Sequence, residues 1–271
     1  MMEFLQALAE HDFLQRALAG GLLASIGCGI VGSYVVVQRI SLLAGAIAHA
    51  VLGGMGAAWY FGIDPLAGAL VAAVFAALII GWVKLRFAER EDTAISAIWA
   101  LGMAIGILFI AKTPGYSVDL IGYLFGNLLM MSSSDLQLIA ALDIVILVLT
   151  GLFFRQFLAV CFDPEFARVR GLKMERYYLL LLVLVALTVV MLIQVVGLIL
   201  VIALMTLPAA IAGRFTVSLG AMMGLAILLG MAFTAGGLAI SYAPDLPSGP
   251  VIIVLAGIAY LLAALLRRGR R

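Results

Sequence analysis

Hydrophobic positions in this chain come in long blocks. Nine apolar runs, near residues 16–38, 43–62, 64–83, 94–111, 136–160, 177–195, 197–213, 217–242 and 249–266, are separated by charged or turn-rich stretches. A membrane crossing takes about 20 helical residues. Inside a bilayer the backbone must satisfy its own hydrogen bonds, so unbroken runs of this length predict helices and not the alternating strands of a barrel. The predicted fold class is all-α, a polytopic bundle of eight or nine transmembrane helices. Two runs depart from the simple pattern. Gly53, Gly54 and Gly56 can interrupt the second, and the short 197–213 run ends near Pro208, which leaves a re-entrant segment as an alternative. The predicted organisation is an extracytoplasmic N-terminal segment (1–15), a transmembrane domain (16–266) and a cytoplasmic basic tail (267–271).

Composition narrows the class. Of the 271 residues, 66% are hydrophobic and 11% charged, and mean hydropathy is +1.25, whereas soluble domains run at about 25% charged. A soluble globular protein is excluded, and the helices leave no room for a catalytic domain. The net charge of +2 is too mild to suggest nucleic acid as a partner. With nine crossings and the N-terminus outside, Arg39, Lys84, Arg86, Arg90, Arg155, Arg168, Arg170, Lys173, Arg176, Arg214, Arg267, Arg268, Arg270 and Arg271 fall on the cytoplasmic side, leaving Arg16 and Lys112 outside. That distribution follows the positive-inside rule. The acids Glu3, Glu10, Asp12, Asp64, Asp119 and Asp245 fall on the outer side. No cleavable signal peptide is expected, because the first twelve residues lack a basic start. Cys28 and Cys161 have no CxxC partner and read as buried thiols.

Small residues recur at four-residue spacing in Gly102/Gly106, Gly220/Gly224 and Gly20/Ala24, a pattern that lets helix backbones approach closely in lipid. Gly27-Cys28-Gly29-Ile30-Val31-Gly32 matches GxGxxG, yet it lies inside an apolar span with no preceding strand, which argues against dinucleotide binding.

Polar groups at membrane depth are costly and therefore informative. His49 is the histidine that lies inside a span. A neutral imidazole suits zinc and is acceptable to manganese or iron, although a hydrogen bond to a neighbouring carbonyl would equally account for it. Asp143 reads as an acid near a helix start that reaches water or a hydroxyl partner. Asn127 and Gln194 read as interhelical hydrogen-bond formers. The segments 112–119 and 242–250, with Asp119 and Asp245, are turns or a docking surface for a soluble partner. On the cytoplasmic side, 163–173 reads as a short amphipathic helix entered at Pro164 and closed by Gly171. A second segment, Pro208 to Phe215, leaves the membrane there. Such surface pieces can be connectors or the grip of a cytoplasmic motor.

Four stretches together give the chain its likeness to a known family: Gly32-Ser33-Tyr34-Val35-Val36-Val37-Gln38-Arg39-Ile40-Ser41 running into Ala46-Ile47-Ala48-His49-Ala50; Asp119-Leu120-Ile121-Gly122-Tyr123-Leu124-Phe125-Gly126-Asn127-Leu128-Leu129; Pro208-Ala209-Ala210; and Asp245-Leu246-Pro247-Ser248-Gly249-Pro250. Over nearly its whole length the chain resembles the permease subunits of zinc- and manganese-importing ABC transporters. The resemblance implies the type II importer fold shared with vitamin B12 permeases, a bacterial or archaeal cytoplasmic membrane, a homodimer, two cytoplasmic ATPase subunits that hold the ATP, and an extracytoplasmic metal-binding protein. It implies no tightly bound cofactor and a transported zinc or manganese ion passing His49, with Asn127 as a second position. ATPase coupling falls by the same resemblance on Pro208, Ala209, Ala210 and Arg214, and secondarily on Glu165, Ala167 and Gly171; docking of the binding protein falls on Asp119 and Asp245. The chain is expected to be a transport subunit and not an enzyme, and the residues agree independently on one point, that ATP hydrolysis falls to another subunit: none of Lys84, Lys112 and Lys173 follows the glycines of a phosphate loop. An ion-coupled secondary transporter is the competing class, but it would need ionisable residues in several spans.

One departure from the family pattern bears on the metal. Where relatives carry an aspartate one turn before the histidine, this chain has Gly45, and where a zinc-type relative carries an acid it has Asn127. Fewer hard oxygen ligands favours zinc over manganese.

Overall fold

The computed structural model describes residues 2–87, 91–113, 128–244 and 246–268, which contain helices and no strands. Two short helices flank the spans or lie between them in addition to an N-terminal one: α1 (Met2–Glu10), α7 (Phe154–Phe162) and α8 (Pro164–Val169). Nine helices are long and apolar enough to cross a membrane among the described residues. They are α2 (Asp12–Val37), α3 (Ser41–Tyr60), α4 (Pro65–Arg86), α5 (Glu91–Lys112), α6 (Ser133–Leu152), α9 (Met174–Val196), α10 (Leu198–Phe215), α11 (Leu219–Tyr242) and α12 (Ser248–Arg268).

Three expectations are refined. The 43–62 run is one uninterrupted helix, because its glycines serve helix contacts and do not break the chain. The 197–213 run is an 18-residue helix that continues through Pro208, about 27 Å long at 1.5 Å per residue, which matches a hydrocarbon core. Gly197, at φ 78°, makes the break that separates α9 from α10. The 136–160 run divides at Phe153 into a spanning helix and the amphipathic α7, whose Phe157 and Val160 are buried.

Helix ends follow local chemistry. The Asp64 carboxylate accepts from the Ala67 amide at 3.2 Å, with Pro65 in the first turn of α4. The Ser218 hydroxyl caps α11 by accepting from Ala221. Such caps satisfy amides that have no partner within the helix.

The chain forms two compact units, with α6 and α9 contributing to both. The first comprises Met1–Val37, Ile121–Val148 and Met191–Arg271. Within it α2 packs on α10 and α11 through glycine. A β-carbon on Gly29 would stand 2.7 Å from the Ile227 amide nitrogen, and one on Gly32 would collide with the Met205 carbonyl. Ser25 and Thr234 meet at 3.4 Å across the same α2–α11 contact, and Gly20 packs against Met131. The GxGxxG string is thus helix-packing surface inside α2. Gly220 and Gly224 are the exception to the small-residue expectation: a β-carbon at either would touch nothing within 4 Å among the described residues.

The second unit comprises Gln38–Leu120 and Leu149–Val190. Here α3 lies between α4 and α5. Gly53 and Gly56 face Gly102 and Gly106, and β-carbons on the α3 glycines would stand 2.8 Å from the α5 carbonyls. Gly54 meets the Gly68 carbonyl on the α4 side. In lipid, where apolar faces gain nothing from leaving water, this backbone-to-backbone packing supplies the association.

Candidate functional site

The α3–α5 contact carries the one imidazole inside a span. His49 is buried, and its Nδ1 has no hydrogen-bond partner. The alternative expectation, a ring hydrogen-bonded to a neighbouring carbonyl, is not met through Nδ1. The ring stacks on Trp99 of α5, with centroids 4.4 Å apart and planes 23° apart. The stack is possible because Gly102, one turn along α5, lets that helix approach until its missing β-carbon would stand 2.6 Å from the Ala50 α-carbon and 2.8 Å from the His49 carbonyl. Ile95, Trp99, Gly102 and Gly106 recur at helical spacing, so a single face of α5 supports His49. Gly45, one turn before His49, is buried in α3 and brings no side chain to the site. No group of three or more His, Cys, Asp or Glu suited to a metal ion occurs among the described residues. A cation at His49 would meet an imidazole, an aromatic face and whatever a water or another chain supplies.

Asp143 differs from its sequence reading. It sits in the middle of α6 and is 2% exposed, and its carboxyl oxygens make no well-formed hydrogen bond, the backbone of Gly27 being a weak partner at most. It shares a buried stripe with Ile139 and Ile146 and faces α2 at Gly27. It neither starts a helix nor reaches a hydroxyl. The expected interhelical roles of Asn127 and Gln194 concern a residue and a side chain outside the described set, as do the docking positions Asp119 and Asp245.

The motor-facing candidates fall in two places. Pro208 and Ala209 are buried inside α10, with Ala210 half-buried. The segment from Pro208 is therefore helix to Phe215, not loop, because the proline falls where its lost hydrogen bond is tolerated within the bundle. The exposed apolar surface there is Phe215 and Val217 at the α10–α11 turn. Arg214 is held inward, its guanidinium 5.3 Å from the Tyr260 ring centre and 3.4 Å from the Tyr260 hydroxyl. In the other unit, α8 carries Glu165 and Ala167 and closes on Gly171 at φ 79°. The Gly171 amide donates to Arg168 and the Leu172 amide to Ala167, at 2.9 and 3.1 Å, a Schellman closure that requires the left-handed residue. Ala167 is buried, whereas Glu165 and Gly171 are exposed. Beside it, Cys161 is pushed up to about 11 by burial, against which the Gln38 side chain works weakly.

Sequence reasoning passed over Trp99, although an aromatic residue one turn before a small-xxx-small pair was the available signal.

Spanning helices packed through glycine, with a buried imidazole at one such contact, describe a polytopic membrane protein with an ionisable group at membrane depth. Comparison with known proteins makes the class specific. Residues 10–267 match the family model of the ABC 3 transport family. The chain is 43% identical over 251 residues to a probable metal transport system membrane protein of Chlamydia muridarum, covering 90% of this chain and 86% of the relative. It is 36% identical over 264 residues to the manganese transport system membrane protein MntC of Listeria monocytogenes, covering 97% and 94%. Among solved structures it is similar to PsaBC from Streptococcus pneumoniae in complex with Fab, with TM-score 0.86, 34% identity, and coverage of 97% of this chain and 94% of that one. The chain belongs to the ABC 3 transport family. It is a metal ABC transporter permease of the type II fold, a multi-pass protein of the bacterial inner membrane.

Proposed function

We propose that this permease imports a divalent transition-metal ion, with manganese the first cargo to test. An extracytoplasmic binding protein delivers the ion, a second copy of the chain completes the path, and cytoplasmic ATPase subunits drive alternating access. The observation that carries the reading is His49, a buried imidazole with an unpartnered Nδ1 on a helix clamped to its neighbour by glycine. A transit site must bind weakly enough to release its ion, and one imidazole without a companion carboxylate satisfies that. Manganese is supported by the names of relatives such as MntC of Listeria monocytogenes. Zinc is the second reading, supported by Gly45 and its missing oxygen ligand.

The test is uptake by the permease reconstituted with its ATPase and binding protein, with manganese and zinc in competition. His49→Ala should lower uptake at limiting metal about tenfold, the loss of roughly 1.4 kcal/mol of ion stabilisation, while the assembled complex still elutes intact. Undiminished uptake would overturn the assignment of His49.

A further inference from the structure

The second unit has a cavity at the basic end of its helices, beside the α8 segment offered above for coupling, to which no role has been given. It encloses about 160 Å³ where the last turn of α4 meets the start of α9 and the α7–α8 segment. Lys84, Arg168, Gln38 and Tyr178 supply its polar wall, Val160 and Met174 its apolar floor, and no Asp or Glu lines it. The Lys84 ammonium lies 5.1 Å from the centre of the Tyr178 ring. Arg168 meets Glu175 at 3.2 Å, in a pair exposed enough to open. Among the described residues of the same unit the exposed cations Arg39, Arg86, Lys112, Arg155, Arg170, Lys173 and Arg176 outnumber the exposed acids Asp64, Asp92, Asp163, Glu165 and Glu175.

We propose that this cavity binds the phosphate headgroup of an anionic phospholipid of the cytoplasmic leaflet. Three observations fix the occupant. The charge selects an anion. The position, at the ends of two spans and on the side the positive-inside pattern assigns to the cytoplasm, is headgroup depth. A stripe of exposed apolar side chains, Val71, Phe75, Leu78, Trp82 and Leu85, runs along α4 at alternating spacings of four and three and ends at the cavity, where Leu85 is part of the wall. That stripe offers an acyl chain a track that a free phosphate would not need, and Trp82 stands at the level where indoles mark the interface. Lys84 and Arg168 clamp the phosphate, Arg168 exchanging Glu175 for the lipid.

The test is native mass spectrometry of the full-length protein extracted from bilayers of equal phosphatidylglycerol and phosphatidylcholine. The wild-type chain should retain phosphatidylglycerol preferentially. Lys84→Gln with Arg168→Gln should weaken that retention about thirtyfold, the factor two cations near an anionic surface supply, without changing phosphatidylcholine. Lys84→Arg with Arg168→Lys should retain it. Met174→Trp, which fills the cavity and keeps both charges, should also lose it, so the proposal does not depend on the double variant folding. Equal retention of the two lipids, full retention by the glutamine variant, or displacement of the lipid by excess inorganic phosphate would overturn the proposal. So would a stripe covered by a second copy of the chain in the purified complex.

Discussion

Replacing Gly102 by alanine tests whether backbone contact between α3 and α5 builds the site. The added methyl would stand 2.6 Å from the Ala50 α-carbon, 2.8 Å from its amide nitrogen and 2.8 Å from the His49 carbonyl. Carbon atoms rest at about 3.5–4.0 Å. The two helices must therefore part by roughly 1 Å, and none of the three obstructing atoms is the end of a flexible side chain. Overpacking of this kind costs about 1–3 kcal/mol. The displacement falls one turn from the His49–Trp99 stack, so the ring loses its support as the helices separate. Thermal unfolding in lipid nanodiscs should show Gly102→Ala melting several degrees below wild type, and reconstituted uptake should fall with it. Gly106→Ala, obstructed at 2.8 Å by the Leu52 carbonyl, should behave alike. Gly220→Ala and Gly224→Ala meet nothing within 4 Å and should melt at or above wild type, since alanine is the better helix former by up to about 1 kcal/mol. A Gly102→Ala protein indistinguishable from wild type in both assays would refute the reasoning.

Other outcomes follow from the same geometry. Cys161, with its thiol near 11, should react with maleimide at pH 8 about a hundredfold more slowly than an ordinary thiol of 9, because roughly 0.1% instead of 9% is thiolate; rates equal to free cysteine would show that the thiol is not buried. Asp143→Leu removes a buried carboxyl that meets the Gly27 backbone of α2 only weakly and should leave the melting temperature unchanged or raise it, relieving a penalty of roughly 1–3 kcal/mol; a large drop would show that the Gly27 contact is a strong one. Gly171→Ala puts a β-carbon on a left-handed residue and should cost about 1 kcal/mol. Amide exchange in α8 should then quicken about fivefold, and unaltered protection would contradict the closure at Gly171.

The helices were legible because each span is a contiguous apolar block, and α8 because Pro164 and Gly171 mark its two ends chemically. The division at Phe153 was not, since an apolar residue carries no turn signal and the break is made by tertiary packing of Phe157 and Val160. Pro208 misled in the opposite sense: proline ends helices in water, where a freed carbonyl can hydrate, but a bundle interior keeps the helix going. Of the candidate site, His49 was readable from its chemistry alone. Its stacking on Trp99 was not, because spacing gives the face of a helix and not which helix that face meets. The small-residue pairs show the same limit: Gly102/Gly106 is a contact and Gly220/Gly224 is open, with nothing in the spacing to separate them.

The glycines on opposite sides of α3 have a mechanical corollary. Gly54 rests on α4 while Gly53 and Gly56 rest on α5, so main chain touches main chain on both flanks, with no long side chains between to act as springs. His49 therefore rides on a stiff three-layer laminate, and its ring changes position only when the whole slab tilts.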